Sequence, residues 1–325
     1  MFNTQIGQDI DEAIHWLNQG ELVAIPTETV YGLAANGLHP LAIAKIYEAK
    51  NRPQFNPLIL HAGSLQQLEP LVSGIPDVCL TLIKTFSPGP ITFLLPKSNL
   101  VPDIVTAGSP FVAVRIPDHP LSLAMLLRLD YPLAAPSANP SGYVSPVSAK
   151  HVLQGLSGKI PYILDGGNCR VGLESTIVSF DKDDIVIHRL GAITPEQIQE
   201  VTGCSIKMSL SHASPMAPGQ LKSHYATHTP LVIGDVEDFI LKHPSRRIGV
   251  ISFQQSFETG AVACEVLSEK GNLIEAASNL FQAMRQLDGL ELDFIIAEHF
   301  PEEGVGRAIN DRLQRAVHAM KTALE

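Results

Sequence analysis

Along the first two hundred residues, short apolar runs alternate with stretches whose apolar positions recur at helical spacing, and Gly or Pro stands at nearly every junction. Ile10, Ala13, Ile14 and Leu17 share one helical face, with Gly20 behind them as a C-terminal stop. A buried strand is predicted over 22–25. Pro40 then opens a helix to about Lys50 that must end before Pro53. Ser64 followed by Gln67 has capping-box spacing and predicts another helix start. Further strands are predicted at 58–60, 91–95, 111–116, 132–135, 162–164, 176–180 and 185–189. Helices are predicted near 77–85, 120–129, 148–156 and 195–202. This alternation is that of an α/β domain.

From about 204 to 230 the periodicity stops, and Ser, His, Pro and Gly dominate. A structureless stretch of that length is a linker, long enough to be either flexible or functional. From Leu231 the alternation restarts, with strands near 231–233, 247–252 and 293–297 and helices near 236–242, 272–288 and 305–323. The predicted organisation is an α/β domain over 1–205, a linker over 206–230 and a small doubly wound domain over 231–325.

The chain has 325 residues, which fits two domains at about 150 residues each. A hydrophobic share of 45% with 17% charged residues excludes a disordered chain. No apolar run reaches the roughly 18 residues of a membrane span, and the first residues lack a basic-then-apolar leader. A cytoplasmic protein without membrane attachment is expected. The net charge of −10 argues against a protein whose main task is to grip nucleic acid by its phosphates. It leaves room for a local cationic pocket. Cys79, Cys169, Cys204 and Cys264 show no zinc-ligand spacing and read as reduced thiols.

No phosphate loop of the G-x-x-x-x-G-K-[ST] type, no G-x-S-x-G elbow and no H-E-x-x-H occurs, and Gly304-Val-Gly306 lacks the third glycine of a dinucleotide fingerprint. What remains is a set of polar segments placed after apolar strands, where α/β folds hold ligands. Thr27 and Thr29 present two hydroxyls spaced to face one way in an extended segment. Lys50 and Arg52 stand on a loop stiffened by Pro53 and Pro57, with Asn56 between and His61 beyond. Arg115 interrupts an apolar run and must reach solvent or pair with a carboxylate or phosphate, the ligand's included. Ser137, Asn139, Ser141 and Ser145 offer donors with no base beside them, which suits binding more than nucleophilic attack. Ser175 and Arg189 complete the set. Each segment alone is an ordinary turn, cap or packed polar residue; together they supply four cations and several hydroxyls to one domain.

In order, PTETVYGL, KNRPQFNPL with a trailing His, SPGPITF, VAVRIP, SANPSG, ESTIVSF and HRLGAI resemble the YrdC-type threonylcarbamoyl-AMP synthase family. The linker piece from Ser223 to Ala226 and the segment from Gly304 to Leu313 resemble its longer, two-domain branch. The resemblance implies a nucleotidyltransferase that joins ATP, L-threonine and bicarbonate into L-threonylcarbamoyl-AMP and releases pyrophosphate. The product would pass to a tRNA threonylcarbamoyltransferase complex for N6-threonylcarbamoyladenosine synthesis. It implies a twisted, open YrdC-like α/β domain with a large concave cationic cavity, and a small Rossmann-like C-terminal domain.

The resemblance places threonine against Thr29, His61, Arg115, Ser137 and Ser175, with Arg115 on its carboxylate. ATP falls to Lys50, Arg52, Asn56, Asn139, Ser145, Arg189 and Tyr225, with Lys50 and Arg52 as the catalytic cations and Tyr225 of the linker closing over the cavity. Mg2+ would come with ATP, with no protein metal cage assigned. Phe111 stands where most members carry a hydroxyl residue. Carbamoyl-phosphate-dependent carbamoyl adenylation and a double-stranded RNA-binding module are the competing readings, the second with weak RNA binding through the cavity. A degenerate nucleotide-binding regulator is a further one, opposed by the filled polar positions.

Overall fold

A computed structural model of the chain describes residues 1–182, 184–210, 224–257 and 259–324. By contacts the chain separates into two units. The first takes 1–141, 146–170 and the described part of 174–221; the second takes 142–145, 171–173 and the described part of 222–325.

The first unit is built on an 11-stranded mixed sheet. Its order is Gln5–Gly7, Tyr162–Leu164, Val23–Ile25, Gly32–Asn36, Leu133–Ala134, Ile59–His61, Phe111–Arg115, Ile91–Pro96, Thr176–Asp181, Asp184–Arg189 and Ser205–Met208. Both edge strands are short and largely exposed. The helix Ile10–Asn18 packs Ala13 and Leu17 on Val23, Ile25, Ala34 and Leu164 in one core cluster. Asp9 caps it by accepting from the Asp11 N–H at 2.8 Å, and Gly20 follows at φ +71°, as the helical spacing predicts.

Helix Pro40–Lys50 has Pro at its first turn, as expected, and ends on Asn51 in the left-handed region. At Ser64 only half of the capping box forms. Its Oγ accepts from the Gln67 N–H, but the Gln67 side-chain oxygen accepts from Gly63 N–H at 2.8 Å while its amide donates to Leu126 and Leu129 carbonyls. The full reciprocal box sits instead at Thr194 and Gln197.

The segment expected to open the linker is sheet: Ser205–Met208 pairs in parallel with Asp184–Arg189, from Asp184 against Ser205 to Ile187 against Met208. Residues 211–223 of the expected linker lie outside the described residues.

In the second unit, four parallel strands stand in the order Leu231–Ile233, Phe294–Ala297, Ile248–Ser252, Ala263–Val266. A parallel α/β sheet was expected; its order differs from the Rossmann order, in which the first strand in sequence lies between the second and the fourth. Here helix Leu273–Asp288 carries the chain from the edge strand past Ile248–Ser252, and the last strand inserts beside the first. No helix of the described residues is long and apolar enough to cross a membrane.

Candidate active site

Ten of the predicted site residues fall in the first unit. Nine are buried, namely Thr29, Lys50, Arg52, Asn56, His61, Arg115, Asn139, Ser175 and Arg189, and Ser137 is half-buried. The contacts tie nine of them into three groups, and Thr29 lies in the turn beside the second.

The first group forms where helix Pro40–Lys50 ends. Its last residue turns a fully buried ammonium onto the loop after Leu133–Ala134, donating to the carbonyls of Ser137 and Asn139 at 2.5 Å each and toward Asn139 Oδ1 at 3.4 Å. Those are neutral oxygens. Burial, and then the Arg52 guanidinium nearby, hold the Lys50 pKa well below that of an ordinary lysine. An ammonium has three N–H groups, and here all of them are directed at this loop. The expectation of a Lys50 free to reach phosphates therefore changes: its direct partner is the Ser137–Asn139 backbone. Arg52 folds its own loop by donating from Nε to the Asn56 carbonyl at 3.2 Å and from Nη2 to the Pro57 carbonyl at 2.8 Å. Asn56 Oδ1 is buried and accepts no hydrogen bond from the described residues. A buried orphan acceptor costs about 1–3 kcal/mol, so it is a place for a ligand donor.

The second group joins adjacent strands. His61 and Arg115 are register partners at the ends of two parallel strands. The imidazole is neutral: burial first, then the Arg115 guanidinium, push its pKa down to about 3 against the opposing pull of Ile59 and Leu133 backbone contacts. Arg115 is paired, but with a protein carboxylate the sequence reading did not single out. Its Nη2 donates to Glu28 Oε1 at 2.7 Å, its Nε donates to the Gly89 carbonyl at 3.3 Å, and the Asp118 N–H donates to Glu28 Oε2 at 3.1 Å. Glu28 lies just past Val23–Ile25, with three strands between that strand and Phe111–Arg115. At about 4.8 Å per step the two strands are about 19 Å apart, so the loops carrying Glu28 and Asp118 lean toward each other across the sheet. Next to Glu28, the Thr29 hydroxyl lies 2.8 Å from that of Thr27, which also donates to the Val30 carbonyl.

The third group is Thr92, Ser175 and Arg189. Arg189 grips Ser175 twice, donating from Nε to its carbonyl and from Nη2 to its Oγ, both at 3.0 Å, and that Oγ lies 2.7 Å from the Thr92 hydroxyl. Thr92 was visible in the SPGPIT segment but not singled out; only the pairing of Ile91–Pro96 with Thr176–Asp181 brings it to Ser175.

Ser145 and Tyr225 fall in the second unit. The Ser145 carbonyl accepts from Arg285 Nε at 3.3 Å, and the Val144 carbonyl from Arg285 Nη2 at 2.5 Å. Tyr225 was expected as a nucleotide contact. Its ring is buried, stacked on Phe281 at 5.4 Å with the Arg312 guanidinium 5.4 Å from its centroid, and its backbone is left-handed at φ +65°.

A family model described as "Telomere recombination" (Sua5_yciO_yrdC) matches residues 15–191, and one described as "Threonylcarbamoyl-AMP synthase, C-terminal domain" matches residues 193–317. The chain is 42% identical to a protein of Bacillus subtilis (strain 168) named Threonylcarbamoyl-AMP synthase, over 94% of this chain and 92% of that one. A protein of the same name from Pyrococcus abyssi is 39% identical, with the same coverage of each. The crystal structure of P. abyssi Sua5 complexed with L-threonine superposes with a TM-score of 0.91 at 38% identity, over 98% of both chains. E. coli YciO, 21% identical with a TM-score of 0.52 over 60% of this chain, shares the fold.

Proposed function

The chain belongs to the Sua5/YciO/YrdC family in its two-domain form, and from that membership we propose that it makes L-threonylcarbamoyl-AMP and pyrophosphate from ATP, L-threonine and bicarbonate. The product would serve a tRNA threonylcarbamoyltransferase complex in N6-threonylcarbamoyladenosine synthesis.

The observation that carries this reading is the pair of buried cations, Lys50 and Arg52, at the end of helix Pro40–Lys50. Lys50 donates to neutral oxygens of Ser137 and Asn139 and has the Arg52 guanidinium as a charged neighbour. Two buried cations side by side favour a polyanion, because a triphosphate can accept hydrogen bonds from both. The orphaned Asn56 Oδ1 on the same loop suits a donor of the nucleotide. Arg52, Asn56, Asn139 and Arg189 are assigned to ATP, Lys50 to holding the Ser137–Asn139 loop beneath it, and Thr29, His61, Arg115, Ser137 and Ser175 to threonine.

No nucleophilic side chain is needed. The threonine amine, once deprotonated, adds to CO2 formed by dehydration of bicarbonate, and the new carboxylate attacks the α-phosphorus as the bond to pyrophosphate breaks. The neutral His61 keeps a second cation away from Arg115 while the substrate is oriented. Positioning and charge neutralisation provide the rate. Mg2+ would come with the triphosphate, where it would neutralise phosphate charge.

The test is pyrophosphate release with ATP, Mg2+, bicarbonate and threonine, with the adenylate followed by mass spectrometry. Arg52→Ala should abolish release that depends on threonine and bicarbonate. Turnover at the unaltered rate would defeat the assignment.

A further inference from the structure

Glu28 has an environment that a merely structural carboxylate does not require. It is 1% exposed, and both oxygens are engaged, Oε1 by the Arg115 guanidinium and Oε2 by the Asp118 N–H. A guanidinium carries five N–H groups. Two of those on Arg115 go to Glu28 and the Gly89 carbonyl, and Nη1 has no partner among the described residues. Arg115 is thus held along one side by an anion and a carbonyl, with donors left over on the other.

The charge balance gives this arrangement a consequence. With Glu28 in place the buried pair is neutral, and a zwitterionic amino acid whose carboxylate accepts from the spare N–H groups brings its own ammonium and leaves the site neutral. A carboxylate without an ammonium would leave one uncompensated negative charge in a buried place, which is costly. We propose that Glu28 is a positioning and selectivity residue: it orients Arg115 and cancels its charge, so that the site accepts an amino acid and rejects plain carboxylates. This rests on the reading that Arg115 receives the threonine carboxylate.

The experiment is calorimetric titration of the full-length protein with L-threonine and with 3-hydroxybutyrate, which lacks the ammonium, alongside a melting curve for each variant. In Glu28→Gln the buried guanidinium is no longer cancelled. Threonine should bind tenfold or more weakly, and the ratio of the two dissociation constants should move by tenfold or more toward 3-hydroxybutyrate. A purely structural loss would weaken both ligands together, so a ratio unchanged within twofold overturns the proposal. Glu28→Asp keeps the charge and shortens the reach. It should weaken both ligands while keeping the preference for threonine, and a lost preference there overturns the proposal even if Glu28→Gln does not fold. Arg115→Lys separates the two readings. Unchanged threonine binding in that variant removes the premise, whereas weakened binding there with no change of ratio in Glu28→Gln removes only the role of Glu28.

Discussion

His61 makes the first unit acid-sensitive by an amount that can be worked out. Its folded pKa is about 3 and its ordinary value is 6.5. The unfolded chain therefore takes up a proton first as the pH falls, and stability is lost between those two values. Above 6.5 the imidazole is neutral in both states and costs nothing. At pH 5 the difference is one and a half pKa units, or about 2 kcal/mol at 1.36 kcal/mol per unit. His61→Asn removes the titration. Urea unfolding of the first unit, followed by the fluorescence of Trp16, the only tryptophan in the chain, should be run at pH 7 and pH 5 for both proteins. The loss from pH 7 to pH 5 should be smaller by about 2 kcal/mol in His61→Asn than in the parent, whatever the variant costs at pH 7. Equal losses in the two proteins would mean that His61 is not held neutral, and the reasoning about burial beside Arg115 would fail.

Lys50→Met should lower threonine-dependent pyrophosphate release by a hundredfold or more, because the Ser137 and Asn139 carbonyls lose their shared donor. Relative to that variant, the parent should gain thermal stability as the pH rises from 7 toward 10. The folded Lys50 pKa lies below the unfolded value of 10.5, so the unfolded chain holds the extra proton across that window; parallel pH profiles would contradict it. Arg189→Lys keeps the charge but cannot grip Ser175 at both its carbonyl and its hydroxyl, so KM for ATP should rise tenfold or more in steady-state assays, and an unaltered KM would take Arg189 out of the nucleotide set. Tyr225→Ala should destabilise the second unit by about 3–5 kcal/mol through loss of the ring packed on Phe281. Tyr225→Gly should cost about 1 kcal/mol less, because glycine is at ease at φ +65°; denaturant melts that reverse this order would refute the strain at that position.

Local rules carried much of this protein into view before any coordinates. Helical spacing from Ile10 to Leu17, Pro40 at a first turn and the apolar runs at 162–164 and 231–233 each state their own secondary structure, because burial on one face imposes a period that can be read residue by residue. The strands that stayed hidden are those without such a period. Gln5–Gly7, Ser205–Met208 and Ala263–Val266 are short edge strands, the first two largely open to solvent and the third half-buried throughout, so none shows a clean alternation, and Gly32–Asn36 is built on small side chains with little strand preference. The cationic loop, the SANPSG turn and the lone arginine in an apolar strand were legible as chemistry, since charge in an apolar run demands a partner. Which partner was a different matter. That Arg115 meets Glu28, that Lys50 serves the carbonyls of Ser137 and Asn139, and that Thr92 meets Ser175 depend on strand order and register across residues 83–89 positions apart, or 26 positions for the bond to Gly89. A sequence fixes a charge and its near neighbours; it is the folding of the sheet that sets two distant polar groups within 3 Å of each other and so decides which charge is cancelled and which is left for a ligand.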